Sequence, residues 1–66
     1  MAKIILTFRL FPDVDGLPQL SEIGVTPERG RVLSYDELQR ARKAVIKGSE
    51  DKGIKDAFLV HHIEVR

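Results

Sequence analysis

The stretch IKDAFLVHHIEVR, residues 54–66, decides how the rest of the chain must fold. It holds no glycine or proline and is rich in branched and aromatic residues, which is the composition of a strand. With strict two-residue alternation, Ala57, Leu59, His61, Ile63 and Val65 share one side, and Phe58, Val60, His62, Glu64 and Arg66 share the other. The polar link Ser49 to Gly53 stands before this strand. Before the link comes a helix. Ser34-Tyr35-Asp36-Glu37 is a capping box, in which hydroxyl and carboxylate each satisfy the other residue's backbone N–H. Leu38, Ala41 and Val45 follow at helical spacing and Gly48 ends the run, which predicts an amphipathic helix over Tyr35 to Lys47.

At the other end KIILTFRL, residues 3–10, alternates with Ile4, Leu6, Phe8 and Leu10 on one side and Lys3, Ile5, Thr7 and Arg9 on the other. Pro12 has no N–H to give a ladder and is expected to stop this strand. Gly16, Pro18, Gly24, Pro27 and Gly30 follow at short intervals, so residues 11–33 read as a long irregular loop. Within it, short helical turns are expected at Pro18–Ile23 and from Thr26-Pro27-Glu28. Arg31-Val32-Leu33 is the candidate for an additional strand.

These readings assemble into an α+β fold occupying residues 1–66 as one domain. It is a small single-layer β-α-β unit, with one helix packed on one face of a two- or three-stranded sheet. The two long strands would be parallel if adjacent, or else separated by a further strand from the loop. The helix covers Ile4, Leu6, Phe8, Leu59 and Ile63 with Leu38, Ala41 and Val45. The opposite face has no cover. It carries Ile5, Phe58 and Val60 among Lys3, Thr7, Arg9, His62, Glu64 and Arg66.

Composition narrows the function classes. A chain of 66 residues is near the size at which roughly 60% of the unfolded chain's surface is buried, so a partner would help its stability. There is no cysteine to form a disulfide or a thiolate site. Eleven basic residues stand against ten acidic ones, a formal charge of +1, which removes both an acidic DNA mimic and a nonspecific basic DNA coat. No signal peptide or membrane span is apparent, and the expected location is the cytoplasm.

Asp13 and Asp15 beside Gly16 suggest a calcium loop, yet the third ligand and the glycine are misplaced and Glu22 comes too early to close the ring. A turn at Asp15-Gly16 explains them, and no metal or cofactor is expected. Adjacent strand histidines point to opposite faces, so His61 and His62 cannot grip one ion, and Ser34 is spent on the cap. No catalytic constellation is present. Arg40, Lys43, Lys47 and Lys55 are candidate contacts for phosphate or an acidic partner, although Asp36 with Arg40 and the helix dipole account for much of that stripe.

The expected function is a small non-catalytic regulator, adaptor or inhibitor, of the economical kind that phage and mobile-element genomes encode. It would bind a protein partner, or a second copy as a homodimer, through Ile5, Arg9, Phe58, Val60, His62 and Arg66. The alternative is a nucleic-acid-binding protein using the same sheet face and the basic stripe, or a degenerate helix-turn-helix in SEIGVTPERGRVLS, residues 21–34. Glu64 and the near-neutral charge favour the protein partner.

Overall fold

Asp15 and Gly16 both adopt positive φ, +57° and +72°. That pair of left-handed residues forms a two-residue hairpin turn of the kind that matches the natural twist of the strands it joins. The hairpin is the local event from which the architecture grows. A computed structural model describes residues 3–28, 30 and 32–65. In it β1 (Lys3–Val14) turns at Asp15-Gly16 into β2 (Leu17–Val25), followed by α1 (Tyr35–Gly48), a short 3-10 turn (Glu50–Lys52) and β3 (Asp56–Val65). The sheet order is β2-β1-β3, and both flanking strands run antiparallel to β1. β2 and β3 are therefore parallel to one another, and α1 carries the chain over β1 from one edge to the other.

The small α+β, single-layer architecture is as expected, with these corrections. Pro12 does not end β1, because the β1–β2 register shifts between Leu10 and Val14 and the missing N–H falls in that irregularity. Residues 11–33 are not a loop, because much of the span belongs to β1 and β2. Pro18–Ile23 is extended rather than helical, and among the described residues no helix starts at Thr26-Pro27-Glu28. The third strand is β2 rather than 31–33, where Val32 and Leu33 have no strand partner and Arg31 lies outside the described residues. β1 and β3 are adjacent but antiparallel, since β2 reverses the direction that a β-α-β reading assumes. β3 begins at Asp56 rather than Ile54.

The capping box forms as its residues dictate. Glu37 N donates to Ser34 Oγ at 3.2 Å and Ser34 N donates to Glu37 Oε1 at 2.9 Å. Glu37 Oε2 also accepts from Glu28 N at 3.0 Å, which ties the loop after β2 to the start of α1. The core lies between α1 and one sheet face. Ile4, Leu6, Phe8 and Leu10 of β1 and Ala57 of β3 are buried against Ala41 and Val45, with Ile54 closing the end near the 3-10 turn. Each large side chain removed from water here contributes about 1.5–3 kcal/mol, and Phe8 and Leu6 are almost wholly enclosed.

Candidate interaction surface

The uncovered face is set by a break in the β1–β3 ladder. Phe8 pairs with Leu59 while Thr7 pairs with His61, so Val60 is an extra residue opposite a regular strand, a β-bulge. One inserted residue turns every later side chain to the other face. Beyond the bulge, Ile5 faces Ile63 and Lys3 faces Val65, while Ile4 faces Glu64 and Leu6 faces His62. The strict alternation expected from the sequence therefore fails at Val60. His61, Ile63 and Val65 belong to the open face, and His62 and Glu64 to the helix face. Ile63 is consequently not a core residue and is 54% exposed.

Three rows cross the open face. Leu20, Arg9 and Phe58 form one, Glu22, Thr7 and His61 the next, and Gly24, Ile5 and Ile63 the third. Phe58 and Leu20 are 52% and 63% exposed, which is unusual for large apolar side chains flanking a central strand. Phe11 meets Phe58 edge to face, with ring centroids 5.3 Å apart and planes at 78°. Arg9 lies 5.0 Å from the Phe11 centroid and bonds Asp13 at 2.9 Å. Its Nε is buried without a hydrogen-bond partner among the described residues. The guanidinium is thus engaged twice on its own chain. At one end the Lys3 side chain lies across Gly24, where a Cβ would come within 2.5 Å of Lys3 Cε.

Of the expected partner-binding residues, the structure brings Ile5, Arg9 and Phe58 together on this face. Val60 sits in the bulge and is exposed beside it. His62 departs from the face for the reason just given, and Arg66 lies outside the described residues. Leu20, Phe11, His61, Ile63 and Val65 join the surface without having been anticipated there. Two signals pointed to them: the Asp-Gly dipeptide of a hairpin, and the run Phe58-Leu59-Val60-His61-His62, whose three apolar and two polar neighbours are incompatible with simple alternation.

On the helix face, His62 and Glu64 line a cleft of about 440 Å³ with Ile4, Leu6, Val32, Leu33, Leu38 and Leu59. This is the end of the sheet that α1 leaves uncovered, which is why polar residues are tolerated there. His61 is exposed, and Tyr35 is 74% exposed. The basic residues are dispersed in role. Arg40 approaches Glu28 at 3.7 Å, not Asp36, and Lys43, Lys47 and Lys55 are exposed without an ion pair among the described residues. Arg42 holds the start of β3, donating from Nε to the Ala57 carbonyl at 2.8 Å and pairing with Asp56.

The Glu37 carboxylate is held below the ordinary glutamate range. The Ser34 backbone N–H is the chief cause, then the Glu28 N–H, with the Ser34 hydroxyl and the Arg40 charge assisting against the opposing effect of burial. Asp13 is taken by Arg9 and Asp15 by the turn, and among the described residues no group of three or more His, Asp or Glu is placed to hold a metal ion. Ser21–Val25 is strand, which removes the first helix of the helix-turn-helix reading. No helix among the described residues is long and apolar enough to cross a membrane. No family model, curated protein or solved structure matches the chain.

Proposed function

We propose that the chain is a small non-catalytic protein-binding module that acts in the cytoplasm by occupying a surface on a larger partner, in the manner of a regulator or inhibitor. The observation that carries this reading is the open sheet face, where Leu20 of β2 and Phe58, Ile63 and Val65 of β3 stand exposed on either side of β1, with no second layer over them among the described residues. Exposed apolar side chains set among Arg9, Thr7, Glu22 and His61 have the make-up of an interface, in which apolar anchors alternate with polar and charged groups.

The face suits a protein better than a nucleic acid. Its two aromatic rings pack edge to face on one another rather than presenting flat platforms for bases. Arg9 is committed to Asp13 and Phe11, and Glu22 opposes phosphate. The test is capture from lysate by the immobilised chain, with and without nuclease, comparing wild type with Phe58→Asp and with Lys43→Glu as a control on the helix. A nuclease-resistant partner retained by wild type and Lys43→Glu, with affinity reduced about a hundredfold by Phe58→Asp, is the expected result. Equal capture by Phe58→Asp would remove the face from the interface, and capture abolished by nuclease would transfer the reading to nucleic acid.

A further inference from the structure

We infer that a second copy of this chain pairs along the outer edge of β3, over residues 61–65, to give a two-fold dimer with a continuous six-stranded sheet. The two sheet edges are built differently. β2 carries Pro18, Glu22 and Gly24, residues that discourage another strand from adding to it. β3 holds neither proline nor glycine, and its apolar side chains leave the edge inviting. Its first part is closed, because Arg42 occupies the Ala57 carbonyl and pairs with Asp56. The bulge at Val60 interrupts the middle. What remains is His61-His62-Ile63-Glu64-Val65, where no hydrogen bond beyond those of the β1 ladder is made among the described residues.

That segment is complementary to itself. Two copies running antiparallel about a two-fold axis at Ile63 set His62 of each against Glu64 of the other, twice, on the helix face. They also set Ile63 against its own counterpart on the open face. The axis is perpendicular to the sheet, so both helices lie on the same side and both open faces on the other. The row Gly24, Ile5, Ile63 then continues through the second Ile63 and Ile5, and the two interaction faces merge into one. This imidazole–carboxylate match selects a second copy rather than an unrelated strand, for which nothing in His62 and Glu64 would fix the register. The edge is distinct from the face assigned to the larger partner, and each stands or falls separately.

Sedimentation velocity at neutral pH over a wide concentration range tests the pairing. The wild type is expected to dimerise. His62→Glu, which sets carboxylate against carboxylate at two symmetric places, should weaken the dimer by about tenfold or more. Glu64→Lys should weaken it as well, and combining the two substitutions should restore it by reversing the match. Both sites are exposed, and circular dichroism will show that the variants fold. Phe58→Asp should leave the dimer intact. A wild type that stays monomeric, a dimer insensitive to His62→Glu, a double variant as weak as the single ones, or dissociation by Phe58→Asp alone would each overturn the edge pairing.

Discussion

At the scale of single residues, Glu37 does more than a capping box requires. One carboxylate oxygen serves Ser34 and the other serves Glu28, so a single side chain closes the start of α1 and fixes the first part of the β2–α1 connection. The cap was legible in the sequence because its partners are three residues apart. The Glu28 contact was not, because Glu28 stands nine positions before Glu37 and only tertiary packing brings them together. A group whose folded pKa is depressed contributes stability that is present above its unfolded value and lost as pH falls through the folded one. For Glu37 the loss begins near its ordinary value of 4.5 and is completed below it. Thermal melts should therefore separate wild type from Glu37→Gln at neutral pH and bring the two together in acid. Ser34→Ala, which removes only the hydroxyl cap, should cost about 1 kcal/mol at neutral pH. An unchanged gap between wild type and Glu37→Gln in acid would mean that the charge is not what the two N–H groups recognise.

At the scale of elements, β1, α1 and β3 were readable because each has its own period, two for the strands and near 3.6 for the helix. β2 was hidden because Pro18 and Gly24, ordinarily marks of a loop, lie on an edge strand, where proline and glycine are tolerated. The Asp-Gly turn announced the hairpin, but Pro12 and Pro18 on either side obscured the strands it joins. The faces of β3 were misread for a different reason, since alternation cannot report an inserted residue. Ile5, Arg9 and Phe58 were placed correctly on the open side because they lie in β1 or before the bulge, whereas His62 lies beyond it. Deleting Val60 tests this directly. The deletion keeps Phe8 opposite Leu59 and Thr7 opposite His61, so the variant should fold and retain its partner. Had the ladder been regular through Val60, the same deletion would turn residues 61–65 over and abolish binding.

At the scale of the molecule, a single helix over three strands can bury only one side of the sheet. The buried side takes Ile4, Leu6, Phe8 and Leu10, and what is left exposed on the other side follows from the register of β3. Because Val60 bulges, Ile63 and Val65 join Ile5, Leu20 and Phe58, while His62 and Glu64 go to the uncovered end of the helix side. A sheet with Ile63 in its core would have offered a partner His62 and Glu64 instead, a polar surface with a different chemistry. The placement of Ile63 is thus the point on which the proposed interface rests. It is tested most directly by side-chain NOEs in the labelled protein in solution. Methyl contacts between Ile5 and Ile63, with none between Ile63 and Leu6 or Ile4, are the expected result; contacts from Ile63 to Ile4 or Leu6 would place it under the helix and contradict the open face described above.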